Sequence, residues 1–392
     1  MSGLGVDVVV AGAGIGGAAA ALLLARRGMH VTLFERVAEP RAVGAGILLQ
    51  PNGLAVLYGL GLRDELAARA RVGGEIRLAD AAGRLLAGTP VPDLGGGYDH
   101  VLVLRRSHLL AVLLDAVRGE PGIACRFGCE VTAAEREGRV TWRGPAGEDK
   151  TRADLVVGAD GLHSCVRAAG GFDAALTPGP TYLRGLSRAA FSGPMTEYWT
   201  AVGIFGGGPV DGATYFYAST AAPPLADALA RRDLDALRSV WREACPVAGE
   251  AFAGVDGIDD LLVNQVTRVD CARWWDGRLV LLGDAAHAMA PNLGQGANSA
   301  LVDGVVLAEA LAAHADVGAA LAAYDARRRR AVRRVQDAAA VLARLGEVRS
   351  PALRRLRDGA IRLLLSRLGS DRSFRQALQE EPAWLERTAR GS

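Results

Sequence analysis

The sequence predicts an α/β protein built around a Rossmann-like domain. A valine-rich strand over residues 6–11 leads through a glycine-rich turn into an apolar helix, as such domains begin. Two later strand-like runs also end in glycines, near residues 158 and 283. Between residues 179 and 264 aromatic residues concentrate, and prolines and glycines separate short runs. We therefore expect a discontinuous α/β domain, an inserted mainly β domain and a C-terminal helical region.

Composition limits the class of protein. Apolar residues make up 50% and charged residues 22% of the 392 residues, which is typical of a folded globular chain. A net charge of +2 argues against nucleic-acid binding. The five cysteines form no Cys-x-x-Cys pair, so we expect reduced thiols, no metal site and a cytoplasmic location. No secretory leader or membrane span is expected. The excess is in glycine, with 50 residues, and its position guides the rest.

Local patterns predict the elements of the α/β part in order. Strand 6–11, helix 15–28 and strand 30–34 open a βαβ unit. A helix over 107–117 has Ser107 as its expected N-cap. The remaining expected elements are strands at 123–127, 129–135 and 139–143 with a turn at Glu137-Gly138, strand 155–157, a helical pair over 225–244, strand 279–282, helices 296–313, 318–345 and 351–368, and a polar tail from Ser370.

Smaller expectations concern charge and turns. The run Arg327–Arg330 is interpreted as a solvated helix face. Lys150 is expected in a polar turn, and Trp274 and Trp275 are expected to pack under the strand at 279–282. The glycines at 95–97 and 206–208 are expected to form turns in the inserted domain.

The first glycine motif is Gly12-Ala13-Gly14-Ile15-Gly16-Gly17, between the first strand and the first helix. Gly12 permits a tight turn, Gly14 admits a pyrophosphate to the backbone, and Gly17 allows close helix packing. The helix N-terminus adds free N–H groups and a positive dipole. Glu35 ends the second strand, where its carboxylate can accept hydrogen bonds from ribose hydroxyls. The motif predicts dinucleotide binding without distinguishing NAD from FAD.

Two further motifs follow buried strands. In Ala159-Asp160-Gly161, the acid is equally well explained as a helix cap or a ligand contact. The third runs from Gly283-Asp284 through His287 and Pro291 to Gly294-Gln295-Gly296-Ala297-Asn298. An acid at the carboxyl end of a strand and a second glycine-rich helix start fit a long ligand with two polar ends.

Together, these motifs resemble the FAD-dependent class A aromatic hydroxylases, the group of salicylate, 3-hydroxybenzoate and urate hydroxylases. The resemblance covers roughly residues 1–345 and includes the segments Gly44–Gly53 and Arg106–Leu109. It implies a Rossmann-like FAD-binding domain over 1–75, 101–178 and 265–345, a substrate-binding β-sheet domain over 76–100 and 179–264, and a C-terminal helical segment over 346–392.

The resemblance also implies which residues hold FAD. They are Gly12, Gly14, Ile15 and Gly17 at the pyrophosphate, Glu35 at the adenosine ribose, Arg36, Gly46 and Arg106 along the cofactor, Val131 at the adenine, Asp160 and Gly161 at FAD and NAD(P)H, Asp284 at the ribityl chain, Pro291 over the flavin ring, and Gly294, Gly296, Ala297 and Asn298 at its pyrimidine edge.

The implied reaction is hydroxylation or epoxidation of an aromatic or polyketide-like small molecule by O₂ and NAD(P)H through a C4a-hydroperoxyflavin. Amides at the second helix start would stabilise the reduced flavin's negative charge. No catalytic base is assigned. Tyr215 and Tyr217 alternate on one strand face and are candidates to orient a phenol, and Arg188 is a candidate to pair a substrate anion. His287 is interpreted as structural. The family's frequent Glu-Asp is here Val302-Asp303, a change expected to matter little.

Other readings remain open at this point. A flavin reductase, desaturase or cyclase would use the same scaffold, and a non-catalytic FAD-binding redox sensor would share its motifs. A flavin halogenase is disfavoured because its Trp-x-Trp-x-x-Pro segment is absent, and a plain NAD(P) dehydrogenase because the third motif is present. The arginine- and alanine-rich composition suggests a GC-rich bacterium and specialised metabolism. We expect a monomer or homodimer.

Overall fold

A computed structural model describes residues 5–39, 46–191, 193–367 and 370–391. Gly44 and Ala45, part of the loop expected beside the flavin, lie outside the described residues. The strands are β1 (Asp7–Ala11), β2 (His30–Glu35), β3 (Gly46–Leu49), β4 (Arg71–Gly73), β5 (Glu75–Asp80), β6 (Leu85–Pro90), β7 (Val101–Arg105), β8 (Ile123–Phe127), β9 (Glu130–Ala134), β10 (Arg139–Gly144), β11 (Gly147–Arg152), β12 (Leu155–Gly158), β13 (Ala174–Ser187), β14 (Thr196–Trp199), β15 (Ile204–Val210), β16 (Ala213–Ser219), β17 (Leu262–Cys271), β18 (Trp275–Asp276) and β19 (Leu279–Leu281).

The helices follow the same chain order. They are α1 (Ile15–Ala25), α2 (Pro51–Gly59), α3 (Arg63–Ala67), α4 (Arg106–Gly119), α5 (Cys165–Ala169), α6 (Pro223–Ala230), α7 (Leu234–Ala244), α8 (Pro246–Ala253), α9 (Asp284–His287), α10 (Gly296–Ala313), α11 (Val317–Gly346), α12 (Pro351–Arg367), α13 (Ser370–Leu378) and α14 (Pro382–Arg390), with short 3₁₀ turns at Ile258–Asp260 and Pro291–Leu293.

The first sheet forms the Rossmann-like part and has the order β18-β19-β12-β1-β2-β8. Strand β1 pairs in parallel with β2 and β12, and β12 pairs in parallel with β19, so the three glycine motifs leave neighbouring strands at one edge. Helix α1 packs against α10 and α4, and ten of its eleven residues are buried. This explains why its sequence is apolar on all sides rather than amphipathic.

The second sheet has seven strands in the order β17-β13-β16-β15-β14-β5-β6. One face packs on helices α6–α8 through an aromatic cluster that includes Phe205, Phe216, Trp241 and Phe252. The opposite face turns toward Ala290 and the C-terminal half of α11. Two three-stranded sheets, β11-β10-β9 and β3-β7-β4, complete the fold. The expected β insertion and its helical pair over 225–244 are confirmed, and α8 extends the pair.

Several local expectations are wrong. Helix α4 begins at Arg106 and Arg105 occupies its N-cap, so Ser107 lies inside the helix. Lys150 lies in β11, paired with Thr141, and not in a turn. The expected polar tail from Ser370 forms α13 and α14 instead. The glycines 206–208 lie within β15, whereas those at 95–97 have positive φ and form a turn as expected.

Two expectations about buried residues have different outcomes. Trp274 is 2% exposed and its ring lies 4.8 Å from that of His287, so its packing role is confirmed, whereas the half-buried Trp275 lies in β18 beside β19, paired with Val280. Of the arginine run, Arg328 is fully buried, which contradicts a wholly solvated face. Among the described residues α10 alone has the length and hydropathy of a membrane span, and 72% of it is buried inside the protein.

Candidate cofactor and substrate site

The first glycine motif forms a turn with no room for side chains on its inner side. Gly12 has φ +98°, and a Cβ there would lie 2.6 Å from the carbonyl oxygen of Ala159. A Cβ on Gly17 would lie 1.9 Å from the carbonyl oxygen of Gly12. Gly14 differs, because no neighbouring atom of the described residues lies within 4 Å of its Cβ position. The backbone at Gly14 therefore borders open space at the N-terminus of α1, as a pyrophosphate requires.

Glu35 stands at the carboxyl end of β2 and helps to hold this turn. One of its oxygens accepts the amide N–H of Ala13 at 3.0 Å, and the other accepts that of Val37 at 3.0 Å. The carboxylate is half-buried beside the turn, and each oxygen keeps a further lone pair for a ribose hydroxyl. Arg36, the next residue, is exposed.

Asp160 is both a helix cap and a ligand candidate. Its Oδ2 accepts the amide N–H groups of Cys165 and Val166, which begin α5, at 2.7 and 3.2 Å. Its Oδ1 is buried and has no hydrogen-bond partner among the described residues. The Cys165 thiol donates to the carbonyl oxygen of Val131 at 2.7 Å, and burial raises its pKa, with Asp160 adding to the effect. The neutral thiol thus brings Val131 beside the second motif.

The third motif supplies a second helix start. Gly294 has φ +62°, a left-handed conformation that favours glycine, and α10 begins two residues later at Gly296. In the part of the chain that the structure describes, no neighbouring atom lies within 4 Å of the Cβ position of Gly296 or of Gly161. Asp284 is exposed at the carboxyl end of β19, and no hydrogen bond from its side chain is found within the described ranges. The first amides of α10 have no intrahelical acceptor, so they are available to an anion.

Asn298 serves the fold through its side chain. Its Oδ1 accepts the amide N–H of Gln50 at 3.1 Å, and its Nδ2 donates to the carbonyls of Leu48 and Gly294 at 3.0 and 2.7 Å. Gln50 in turn donates to the carbonyl of Leu293 at 2.6 Å. Only the backbone of Asn298 therefore remains for a cofactor, and its side chain fixes strand β3 against the third motif.

A buried ionic network centred on Asp303 lies behind the third motif. The Asp303 carboxylate accepts hydrogen bonds from Nε2 of His287 at 2.5 Å, from Nε of Arg328 at 2.7 Å and from the amide N–H of Gly283 at 3.0 Å. Burial alone would raise the pKa of Asp303, but the neighbouring His287 and Arg328 charges and these hydrogen bonds lower it to about 2. His287 is 1% exposed, which agrees with its structural interpretation. The sequence assigned no particular role to Asp303, yet its carboxylate holds the Gly283 turn.

The C-terminal segment reaches this network through Gln379. Gln379 Oε1 accepts Nη2 of Arg328 at 2.6 Å, and its Nε2 donates to Oγ of Ser299 at 2.7 Å. Asn52 adds a contact, donating to the carbonyl of Leu378 at 3.0 Å. Gln379 has φ +69°, an uncommon conformation for a residue other than glycine. The segment after α13 therefore forms part of the support of the third motif, and local sequence patterns gave no signal for this.

The second sheet presents tyrosines to the glycine motifs. Tyr215 and Tyr217 share a face of β16, with ring centroids 6.2 Å apart, as expected from their alternation. A Cβ on Gly46 would lie 2.4 Å from the Tyr215 ring, so this glycine allows β3 to contact the sheet. Tyr217 donates to Oε2 of Glu197 at 2.6 Å, while Trp199 donates to Oε1 at 2.7 Å. Burial raises the pKa of Glu197 despite these two hydrogen bonds.

The glycines in β15 make room for this arrangement. A Cβ on Gly206 would lie 2.1 Å from the Tyr217 ring, and one on Gly208 would lie 2.8 Å from Sδ of Met195. These glycines therefore let large side chains from the neighbouring strands lie across the sheet. Large side chains alternate with other residues along both neighbouring strands, at Glu197 and Trp199 in β14 and at Tyr215 and Tyr217 in β16. This alternation is the sequence signal that could have placed the glycines in a strand between them.

Arg184 and Arg188 lie in different surroundings, since Arg184 is within β13 on the tyrosine-bearing face and Arg188 follows the strand at the surface. Arg188 is exposed and forms an ion pair with Asp256 on the surface, so it is not positioned to pair a substrate anion. Arg184 stands opposite Tyr217 in the β13–β16 ladder and is half-buried. No ion pair or hydrogen bond of its side chain is found within the described ranges. Arg106 is likewise half-buried near Tyr215. Burial raises the pKa of Tyr215, and the charges of Arg184 and Arg106 offset part of this increase.

Several features together fit a bound FAD. The three motifs contribute open backbone at Gly14, Gly161 and Gly296, an unpaired buried oxygen on Asp160 and an exposed acid at Asp284. The N-terminus of α1, which follows β1, matches a pyrophosphate, and the N-terminus of α10, which follows β19 and the turn at Pro291–Leu293, matches an anionic flavin edge.

Comparisons with known proteins agree with this geometry. Residues 5–339 match the FAD binding domain family. The chain is 31% identical over 358 residues to the aurachin C monooxygenase/isomerase of Stigmatella aurantiaca, covering 88% of this chain and 90% of that protein. It is 36% identical over 320 residues to the 3-amino-4-hydroxybenzoate 2-monooxygenase of Streptomyces cremeus, covering 76% of each.

A solved structure agrees at the level of the fold. A variant of Klebsiella pneumoniae HpxO complexed with FAD is 25% identical, with a TM-score of 0.81 over 95% of this chain and 99% of that chain. The similarity spans both large sheets, because almost the whole chain is aligned. The chain therefore belongs to the FAD-binding family of flavin-dependent monooxygenases.

Proposed function

We propose that the protein is an FAD-dependent monooxygenase that uses NAD(P)H and O₂ to hydroxylate or epoxidise an electron-rich aromatic or polyketide-like small molecule. The observation that carries the proposal is the segment 291–296. Ala290 packs with Tyr182 and Tyr217, and the following 3₁₀ turn Pro291–Leu293 brings Asn292 beside Tyr182 and Glu197 on the tyrosine-bearing face. The end of the segment forms the N-terminus of α10. One short segment thus connects the proposed flavin site with the tyrosine-bearing face of the second sheet. The names of the relatives described above support the same reaction type.

The residues of the chain hold FAD in this proposal. Gly12, Gly14 and the N-terminus of α1 bind the pyrophosphate, and Glu35 accepts hydrogen bonds from the ribose. Asp284 binds the ribityl chain, and the first amides of α10 stabilise negative charge on the flavin. Bound FAD, reduced by NAD(P)H, supplies the activation of O₂.

The second sheet positions the substrate. Tyr217 donates a hydrogen bond to Glu197, so the lone pairs of its oxygen remain available to accept a hydrogen bond from a hydroxyl or N–H of the substrate. Tyr215 and Arg184 occupy the same face. The aromatic side chains of the face and Leu293 exclude water, which protects the activated oxygen from unproductive release as H₂O₂. We propose that the protein acts in the cytoplasm, as a monomer or homodimer, in specialised metabolism.

An experiment with labelled oxygen tests the proposed reaction. Purified holoenzyme is supplied with NADH or NADPH, a panel of phenols and anilines, and isotopically labelled O₂, and products are analysed by mass spectrometry alongside H₂O₂ release. We expect a substrate that accelerates NAD(P)H oxidation and gains one labelled oxygen atom. Product formation at full rate without O₂ would instead support a reductase, desaturase or cyclase. A flavin that is never reduced with any member of the panel would support a redox sensor.

A further inference from the structure

Five side chains converge on the substrate-facing side of the second sheet. Tyr182, Glu197 and Tyr217 come from β13, β14 and β16, and the ladder registers place them on one face. Asn292, from the 3₁₀ turn of the third motif, faces both Glu197 and Tyr182. Glu347, which follows α11, lies at the same face, since its Oε2 would be 3.1 Å from a Cβ on Gly203 at the start of β15. We call Tyr182, Glu197, Asn292 and Glu347 the acidic cluster.

Most polar atoms of the acidic cluster lack a well-formed hydrogen bond within the described ranges. The Tyr182 hydroxyl, both side-chain atoms of Asn292 and both carboxyl oxygens of Glu347 are buried without one. Asn292 lies close to Tyr182 and Glu197, and Ser219 lies close to Glu347, but none of these pairs has good hydrogen-bond geometry. Tyr182 is fully buried. Arg349 approaches Glu347 only to 4.0 Å. Because buried polar atoms in folded proteins are nearly always hydrogen-bonded, five atoms at one place without a well-formed hydrogen bond indicate groups that a ligand completes.

The chemistry of these atoms favours a ligand that donates hydrogen bonds. The Glu347 oxygens are acceptors when ionised, and the Glu197 oxygens retain lone pairs beyond the hydrogen bonds from Tyr217 and Trp199. Burial raises the pKa of both Glu197 and Glu347, so ionisation of each carboxyl is favoured only when a donor faces it. A carboxylate placed within the acidic cluster would meet the carboxyl groups of Glu197 and Glu347. The nearby cations lie beside the cluster, Arg184 opposite Tyr217 and Arg357 over the Trp199 ring at 4.7 Å from its centroid.

The acidic cluster also lies next to the proposed chemistry, since Asn292 follows Pro291 and precedes the Gly294–Gly296 helix start by two residues. We infer that the acidic cluster selects an aromatic ring bearing an N–H donor, an aromatic amine or a nitrogen heterocycle, over a ring bearing a carboxylate. This inference rests on the proposed function, because it assigns the substrate class of the same site.

Ligand binding to the oxidised holoenzyme tests the inference without turnover. Perturbation of the flavin absorbance is titrated with 2-aminophenol, 4-hydroxyquinoline and 2-hydroxybenzoate, in the absence of NAD(P)H. Since a hydrogen bond to a buried charged group changes affinity about tenfold or more, we expect at least one N–H-bearing probe to bind about tenfold more tightly than 2-hydroxybenzoate. Binding of 2-hydroxybenzoate as tight as that of both N–H-bearing probes, or no response to either N–H-bearing probe at millimolar concentration, contradicts the inference.

Two conservative variants assign the preference to the acidic cluster. Glu347→Gln should reduce the tenfold preference to about threefold or less, and Tyr182→Phe should weaken binding of the N–H-bearing probe while leaving that of 2-hydroxybenzoate unchanged. Glu243→Gln, on the exposed surface of α7, is the matched control and should change neither. Unchanged selectivity in both cluster variants overturns the inference. Failure of the labelled-oxygen experiment with intact N–H selectivity would refute the reaction but keep the ligand class.

Discussion

Replacing Arg328 and Arg330 in turn by methionine applies the same change to two positions of one helix. Arg328 is fully buried, and its guanidinium donates to Asp303 at 2.7 Å and to Gln379 at 2.6 Å. Arg330, two residues later in α11, is exposed. A sequence interpretation that treats the arginine run as solvated predicts equal effects of the two substitutions, whereas the structure predicts unequal ones.

The expected difference follows from the environment of Asp303. Removing one member of a buried ion pair costs about 3–5 kcal/mol because the other charge remains buried without its partner. Asp303 keeps the hydrogen bonds from His287 and from the Gly283 amide, so we expect the lower end for Arg328→Met, about 3 kcal/mol of unfolding free energy. An exposed substitution such as Arg330→Met should change it by about 0.5 kcal/mol or less.

Urea denaturation at pH 7, followed by circular dichroism, measures the two unfolding free energies. Release of FAD, followed by its fluorescence, reports on the third motif in the same samples. Arg328→Met should also weaken FAD retention, since Asp303 holds the amide of Gly283. A loss below about 1 kcal/mol for Arg328→Met, or equal losses for both variants, would refute the role assigned to the network.

Three further predictions concern the same elements. The pKa of Asp303 is lowered from 3.8 to about 2, so its ionised carboxylate stabilises the folded protein fully above about pH 4, and this stabilisation is lost as pH falls toward 2. The unfolding free energy of Asp303→Asn should lack this loss between about pH 4 and pH 2. Gly14→Val should abolish FAD binding and leave apoprotein stability unchanged, whereas Gly12→Val should also destabilise the apoprotein, which thermal melts with and without FAD distinguish. Arg184→Gln should alter the apparent KM for an accepted substrate at least tenfold, and Arg188→Gln less than twofold; the reverse order would return Arg188 to the site.

The parts of the fold that sequence predicts well are those whose signal is local. A strand, a glycine turn and a helix succeed each other within about twenty residues in the first motif, and the physical need for glycine at Gly12 and Gly17 is set by immediate neighbours. The same holds for the hairpin turn at Gly138, which has φ +86°. Such features follow from spacing alone.

The parts that sequence misses depend on distant partners. Nothing within the arginine run distinguishes Arg328 from Arg330, because burial of Arg328 depends on Asp303, 25 residues away, and on Gln379, 51 residues away. Arg188 and Arg184 differ in the same way, through surface Asp256 and the β16 strand. The residues after Ser370 look like a polar tail, yet the chain there packs on α2 and α10 through α14.

The glycines show how the two kinds of signal meet at the site. The Cβ positions of Gly14, Gly161 and Gly296 border open space, so these glycines leave room for a ligand. The Cβ positions of Gly206 and Gly46 are filled by tyrosine rings, so these glycines allow close packing within the protein. The same residue type therefore forms the flavin cradle on one side and accommodates the tyrosines on the other. Because Tyr215 contacts Gly46 of strand β3, and β3 is fixed to the third motif by Asn298, a shift of the tyrosine face is mechanically linked to the flavin edge. Enlarging Gly46 should thus disturb substrate orientation and flavin position together, rather than either alone.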